Sequence, residues 1–248
     1  MSDVLIFGGQ SNMQGQSECR PAAVAATGIL EYKYLKNTAV PLCDPAGEDI
    51  GEQLLAAHEG HGTLLPAFCR AYRRMCGADV LAVHTAKGAT KIADWQRTGQ
   101  RYKTALQKII GGVRFAEENL AGADRIFYIW LQGESDALAG TSEEEYLCRL
   151  KEYREALCED AGIDVFCIIR VGYFTADGIN DVAIMRAQDA AARQEGFLML
   201  TDVAARLSKD ARFLNPHAAG HFNNRGLRLL GGIAGRALGR YVVRFQKS

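Results

Sequence analysis

The feature that most constrains this chain is the alternation of short, almost continuously apolar segments with longer amphipathic ones. The apolar segments are rich in β-branched or aromatic residues, and each is only a few residues long. Strands that are buried on both faces of a sheet have this composition, so the pattern predicts a parallel sheet. The predicted strands are Val4–Gly9, Asp79–Thr85, Arg125–Leu131, Asp164–Val171 and Phe197–Thr201.

Helical patterns lie between these strands. One of them begins at Thr141 with a capping box that Glu144 completes. The others cover Leu64–Cys76, Lys103–Leu120, Asn180–Glu195 and about Phe222 to Val242. Alternation of strands and helices predicts an α/β fold with a doubly wound, mostly parallel, five-stranded sheet that has helices on both faces. We find no linker, repeat or break in composition, so residues 1–248 are expected to form a single domain.

Two regions depart from this regular pattern. The region Gly15–Gly62 is polar and rich in turn residues, and a loop of that length is usually functional or disordered. The last predicted helix contains five glycines, each of which costs roughly 1 kcal/mol relative to alanine in a helix interior. We therefore expect this helix to pack closely against the sheet. Its glycines are Gly226, Gly231, Gly232, Gly235 and Gly239.

Composition excludes several classes of function. Lys and Arg equal Asp and Glu at 29 each and are scattered along the chain, which argues against nucleic-acid or anionic-membrane partners. The first residues do not resemble a signal peptide, and no segment approaches the roughly 20 apolar residues of a membrane span. The seven cysteines show neither a C-x-x-C pair nor a Cys/His cluster. We therefore expect a cytoplasmic protein without a bound metal.

The first predicted strand leads directly into Gly8-Gly9-Gln10-Ser11-Asn12-Met13. In open α/β sheets, ligands bind beyond the carboxyl ends of the strands, which is where Ser11 lies. The paired glycines allow a sharp turn, and free N–H groups of a following helical turn stabilise negative charge. An ordinary helix-capping serine is the alternative interpretation. The G-x-G-x-x-G, P-loop and G-x-S-x-G motifs are absent.

The string GGQSNMQG resembles the first conserved block of the SGNH-hydrolase superfamily, in the variant found in sialate O-acetylesterases and related carbohydrate acetylesterases. The resemblance implies a flavodoxin-like, three-layer fold in which Ser11 is the nucleophile. It also implies that Gln10 and Asn12, on either side of Ser11, contribute to substrate binding. Three further blocks follow in the order that the superfamily requires, in residues 86–95, 130–136 and 217–226.

These later blocks imply the remaining site residues. The resemblance makes the backbone N–H of Gly88 and the carboxamide of Gln132 the oxyanion donors, together with the N–H of Ser11. It makes His221, in the segment G-H-F-N-N, the catalytic base, with His217 as the weaker candidate.

One position departs from the superfamily pattern. Many members have an aspartate three residues before the catalytic histidine, whereas this chain has Ala218. A main-chain carbonyl can orient the ring instead, which would make a Ser–His dyad, and we favour this arrangement. A carboxylate from elsewhere, such as Asp202, is the alternative.

The roles of several other side chains stay open. Glu134 either binds the loop that contains Gln10 and Ser11 or contacts the substrate. Trp95, together with the loop in residues 15–62, either forms a sugar-binding wall or packs in the interior. Tyr173 and Phe174, which follow the fourth predicted strand, present the same two possibilities.

Taken together, the resemblance implies a serine esterase that removes acyl groups, above all acetyl, from a carbohydrate such as sialic acid or an acetylated xylan fragment. No cofactor or metal is required for that chemistry. Two alternatives remain: a lipase- or thioesterase-like enzyme acting on aliphatic esters, and an inactive homologue that only binds carbohydrate. Turnover of short against long acyl esters distinguishes the first, and covalent labelling of the serine distinguishes the second.

Overall fold

The computed structural model describes residues 2–17, 27–47 and 62–245. Its centre is a seven-stranded sheet in the order β3-β2-β4-β1-β5-β6-β7. All neighbouring strands are parallel except β2 and β3. The strands are β1 (Ser2–Gly9), β2 (Ile29–Lys33), β3 (Thr38–Pro41), β4 (Asp79–His84), β5 (Arg125–Leu131), β6 (Val165–Ile169) and β7 (Phe197–Thr201).

The α/β class and all five predicted strands are confirmed, but the predicted strand number is wrong. Strands β2 and β3 lie in the region 15–62 that sequence reasoning treated as irregular. Strand β2 contains Glu31 and Lys33, which form an ion pair of 2.8 Å. These charges interrupt the apolar run by which the other strands are recognised. Residues 18–26 and 48–61 of that region lie outside the described residues.

Eight α-helices are present in the described part of the chain, of which α1, α4 and α7 are short. The helices are α1 (Ser11–Gln14), α2 (Leu65–Cys76), α3 (Gln100–Asn119), α4 (Glu134–Ala139), α5 (Glu143–Ala161), α6 (Ile179–Ala191), α7 (Ala204–Leu207) and α8 (Asn224–Phe245). None of them is long and apolar enough to cross a lipid bilayer.

The predicted capping box of α5 is displaced by one residue. Ser142 is the N-cap, and its hydroxyl accepts a hydrogen bond of 3.1 Å from the backbone N–H of Glu145. Thr141 is not available as a cap because its hydroxyl donates to the carboxylate of Asp136 at 3.2 Å.

The helices form two layers around the sheet. Helices α2 and α8 pack against each other, whereas α5 packs against both α3 and α6. The connection from β1 leads toward β2 and β4, and the connection from β4 crosses back to β5. Right-handed crossovers in opposite directions place the two groups of helices on opposite faces of the sheet. The chain therefore reverses its direction of winding at β1, and the loop after β1 opens into the crevice where such folds bind ligands.

The glycines of α8 pack against a helix rather than against the sheet, which corrects the sequence-based expectation. Gly231, Gly235 and Gly239 are spaced four residues apart and lie on the face that meets α2. A Cβ atom at Gly235 would overlap the carbonyl oxygen of Phe68. Gly232 lies outside this contact, with the end of the Arg236 side chain as its nearest neighbour at 3.7 Å.

This packing predicts opposite effects for two neighbouring substitutions. Gly235→Ala should lower the free energy of unfolding by about 1–3 kcal/mol, because the added methyl group forces α8 away from α2. Gly232→Ala, the matched control, should leave it unchanged or raise it by up to about 1 kcal/mol through helix propensity. Urea denaturation followed by circular dichroism measures both. A loss of stability of equal size in the two variants would contradict the proposed helix contact.

Candidate active site

Ser11 and His221 form a hydrogen-bonded pair at the carboxyl edge of the sheet. Ser11 begins α1 immediately after the central strand β1, and His221 lies in the loop before α8. His221 Nε2 lies 2.8 Å from Ser11 Oγ, and His221 Nδ1 lies 3.0 Å from the carbonyl oxygen of Ala219. A carbonyl oxygen only accepts hydrogen bonds, so the proton of a neutral ring sits on Nδ1. Nε2 is then free to accept the serine proton.

The charge state of His221 suits this role. Burial lowers the pKa of His221 from its usual value of 6.5, although hydrogen bonds to the carbonyls of Ala219 and Ala218 oppose the effect. Removing a cation from water is unfavourable, so the ring is neutral at neutral pH.

The carbonyl oxygen of Ala219 orients the His221 ring, which is the role that an aspartate at position 218 would have. Asp202, the alternative weighed above, lies 3.6 Å from the guanidinium of Arg170, and its side chain is mostly exposed. His217 is exposed, and its backbone N–H donates to the side chain of Asn215. Of the two histidines in this loop, the structure therefore brings His221 to Ser11.

The histidine loop is fixed by hydrogen bonds to the segment around Ser11. The N–H of Phe222 donates to Asn12 Oδ1 at 3.0 Å, and Asn215 Nδ2 donates to the carbonyl of Gln16 at 3.1 Å. Gly220 has a φ of 74°, and a Cβ there would overlap the ring of Phe174. Glycine at this position is what allows the loop to turn under that ring.

Gln10 and Asn12 are buried and connect two loops of the site, and their predicted contact with substrate stays a prediction. Each is at most 3% exposed. Gln10 Oε1 accepts hydrogen bonds from the backbone N–H groups of Gly133 and Ser135 at 3.3 and 3.1 Å. Asn12 Nδ2 donates to Glu134 Oε1 at 2.9 Å. These bonds join the loop after β1 to the loop after β5.

Glu134 likewise serves the first of its two proposed roles, contact with the serine loop. It is 3% exposed, which separates it from bulk solvent. Burial raises the pKa of the Glu134 carboxyl, and the hydrogen bond from Asn12 opposes the rise. A raised pKa favours the neutral, protonated carboxyl, and burying a neutral carboxyl costs less free energy than burying a carboxylate.

The structure does not support Gln132 as an oxyanion donor. Its side chain is fully buried, and Nε2 lies 2.8 Å from the carbonyl of Thr90 and 2.5 Å from Asp136 Oδ2. The two amide protons are thus directed to acceptors inside the protein, and Tyr146 donates to Oε1 at 3.0 Å. Sequence reasoning identified the residue type but not the direction of the amide.

The other two predicted oxyanion donors are the backbone N–H groups of Ser11 and Gly88. Among the described residues, we find no acceptor for the N–H of Ser11. The N–H of Gly88 donates to Gln14 Oε1 at 2.6 Å, and a Cβ on Gly88 would lie 3.6 Å from Ser11 Cβ. Gln14 is a site residue that sequence reasoning missed. Its only signal was its position in the string QSNMQG, three residues after the serine.

Trp95 is an interior residue, so its proposed part in a sugar-binding wall is wrong. It is 1% exposed, and its ring meets that of Trp130 edge-on at 5.3 Å. Its Nε1 donates to Thr90 Oγ1 at 3.0 Å. Phe174 is the aromatic residue at the site, because its ring lies 5.5 Å from that of His221. Tyr173 instead lies under the Lys209 ammonium, 3.9 Å away.

The described part of the chain contains no group of three or more His, Cys, Asp or Glu side chains that can hold a metal ion.

Comparison with known proteins gives one family and several similar structures. The sequence model of the family described as carbohydrate esterase, sialic acid-specific acetylesterase, matches residues 1–238. A search of the curated proteins finds no significant match.

The similar structures share the fold at low sequence identity. A protein of Arabidopsis thaliana has a TM-score of 0.67 and 17% identity over 96% of this chain and 98% of its own. The protein NanS has a TM-score of 0.63 and 14% identity, covering 99% and 98%. A carbohydrate acetylesterase from Xanthomonas citri has a TM-score of 0.61 and 15% identity, covering 96% of this chain and 57% of its own.

The neutral, partly buried imidazole of His221 predicts a specific pH dependence. A protonated His221 cannot accept the Ser11 proton, so the acylation rate should fall as the pH falls through the pKa of His221. Since burial lowers that pKa, the midpoint should lie below 6.5. The rate of acylation of Ser11 by 4-nitrophenyl acetate between pH 4 and 9 measures it. A midpoint at about pH 7 or above would show that the ring has a charged partner.

Proposed function

Because the chain belongs to the sialic acid-specific acetylesterase family of carbohydrate esterases, we propose that it is a serine esterase that removes O-acetyl groups from a carbohydrate. The observation that supports this most strongly is the 2.8 Å contact between Ser11 Oγ and His221 Nε2. A module that only binds sugar does not need a serine hydroxyl paired with a neutral, oriented imidazole.

In the first step, Ser11 attacks the ester carbonyl. His221 Nε2 takes the hydroxyl proton while Ser11 Oγ forms the bond to the acyl carbon, so the ring becomes an imidazolium. Its Nδ1–H continues to donate to the carbonyl of Ala219, which keeps the ring in place.

Negative charge then develops on the former carbonyl oxygen. The N–H of Ser11 and the N–H of Gly88 are the donors that we assign to this oxyanion. The Gly88 N–H donates to Gln14 Oε1 in this structure, so the substrate oxygen takes the place of that amide oxygen. Loss of one such donor typically lowers the rate about 10²–10³-fold.

In the second half of the reaction, the tetrahedral intermediate collapses and the bond to the sugar oxygen breaks. His221 Nε2 returns its proton to that oxygen, which leaves an acetyl group on Ser11. Water then attacks the acetyl group with His221 as base, and acetate leaves with the enzyme regenerated. Each proton passes through the same ring nitrogen.

The surroundings of Gly88 favour a short acyl group over a long aliphatic chain. The side-chain amides of Gln14 and Gln16 lie 3.0 and 3.1 Å from the position of a Cβ on Gly88. An aliphatic chain placed against these amides would remove them from water without a hydrogen bond, which is unfavourable. An acetyl group, whose alkyl part is a single methyl, keeps this cost small.

Esters of increasing length test the substrate class. Hydrolysis of 4-nitrophenyl acetate should exceed that of the butyrate and octanoate esters, and O-acetylated sialic acid and acetylated xylo-oligosaccharides should release acetate. Ser11→Ala should lower kcat at least about 10³-fold. As matched variants in one loop, His221→Ala should lose activity and His217→Ala should retain it.

Other outcomes would favour the rival functions. Preference for the octanoate ester would indicate a lipase-like enzyme acting on aliphatic esters. Equal activity of wild type and Ser11→Ala on all of these esters, with retained binding of the sugars, would indicate an inactive carbohydrate-binding protein.

A further inference from the structure

Helices α2 and α8 form a strongly basic face on a chain whose formal net charge is zero. Helix α2 contains Arg70, Arg73 and Arg74, and α8 contains Arg225, Arg228, Arg236, Arg240 and Arg244. Neither helix contains an aspartate or a glutamate. Residues 77–223 separate the two helices in the chain, so the arginines look scattered in the sequence and come together only in the fold.

A groove runs between the two helices. It has a volume of about 640 Å³, which lies within the usual range for small-molecule sites. Five of the arginines line it: Arg70, Arg73, Arg74, Arg228 and Arg236. Apolar side chains, among them Ile29, Ala71 and Met75, line it as well. The glycine contact between α8 and α2 brings the two rows of arginines this close together.

Among the described residues, few acidic side chains neutralise this positive charge. Arg73 pairs with Asp79 at 3.0 Å, and Arg228 Nε donates to the carbonyl of Asn224 at 3.2 Å. Over the residues that the structure describes, we find no carboxylate in ion-pair contact with Arg70, Arg74, Arg228 or Arg236. Like charges held together destabilise a fold, and a bound anion relieves that repulsion.

The negative end of a helix dipole explains only part of the cluster. Arg73 and Arg74 lie in the last turn of α2, where a cation is favourable. Arg70 lies before that turn, and Arg228 and Arg236 lie in the first half and the middle of α8. The helix dipole does not account for the positions of these three arginines.

We propose that this groove binds a molecule with a multiply charged phosphate group, whose uncharged part lies on the apolar lining. Guanidinium groups bind phosphate oxygens through paired N–H donors, and several of them can surround one phosphate or diphosphate. A single carboxylate has one charge and would leave most of these arginines unneutralised. The groove is separate from the Ser11 site, so binding does not depend on the proposed esterase reaction.

The test is binding of sodium pyrophosphate and of ADP by isothermal titration calorimetry, at about 50 and 300 mM NaCl. We expect saturable binding that weakens at the higher salt, because salt screens exposed charges. R74Q/R236Q should weaken it at least tenfold. The matched control is R114Q/R186Q, which removes the same charge from exposed positions on α3 and α6. It should change the Kd less than twofold, and Ser11→Ala should leave it unchanged.

A second arm identifies the source of the phosphate. Co-sedimentation with vesicles of phosphatidylcholine, with and without phosphatidylinositol 4-phosphate, is measured for the same variants. Binding only to the vesicles that contain the phosphoinositide, lost in R74Q/R236Q, would assign the phosphate to a lipid headgroup. Binding to pyrophosphate or ADP would assign it to a free metabolite.

Three results would overturn the proposal. One is the absence of saturable binding to pyrophosphate, ADP and phosphoinositide vesicles alike. Another is an equal loss of binding in R114Q/R186Q, which would show a non-specific charge effect. The third is binding of a 20-base-pair DNA duplex in preference to all of these probes, which would make the face a nucleic-acid surface. Melting temperatures of both double variants, compared with that of the wild type, verify that they are folded.

Discussion

Two buried carboxamides, those of Gln10 and Asn12, determine how the site is assembled. Ser11 lies between them, so hydrogen bonds that fix its neighbours also fix its backbone. Gln10 accepts from N–H groups of the loop after β5, while Asn12 binds both Glu134 and the N–H of Phe222, next to His221. Ser11 and His221 are 210 positions apart in the chain. An amide can both donate and accept, which allows one side chain to join two loops, and leaving these buried groups unpaired would cost about 1–3 kcal/mol each.

The arrangement around His221 has consequences for its reactivity. An aspartate beside the ring would stabilise the imidazolium with a full charge, and removing that charge in a serine protease lowers kcat about 10⁴-fold. The carbonyl of Ala219 fixes the tautomer and the orientation but supplies only a partial charge. Such a base is better matched to an ester, whose leaving group is an alcohol, than to an amide. The dyad is therefore consistent with the esterase class that the family indicates.

The sequence predicts the parts of this molecule that depend on local pattern. The apolar runs mark β1 and β4 to β7, and the glycine pair before Ser11 marks the turn at the carboxyl end of the sheet. Strand β2 is not recognised from the sequence, because the charged residues Glu31 and Lys33, which pair with each other, interrupt its apolar pattern. The directions of the Gln132 amide and the Trp95 ring depend on neighbours from distant segments, Thr90 and Trp130 respectively, and no local pattern encodes them. The same holds for the arginine groove, whose two helices meet only after folding.

Covalent labelling is the most direct measurement of the central claim, that Ser11 is a nucleophile activated by His221. The protein is incubated with a fluorophosphonate probe, digested, and analysed by mass spectrometry. We predict one adduct per chain, on the peptide that contains Ser11, formed much more slowly in His221→Ala than in the wild type or in His217→Ala. Absence of an adduct on Ser11, or an adduct on Ser11 that forms at the same rate in His221→Ala, would contradict the claim.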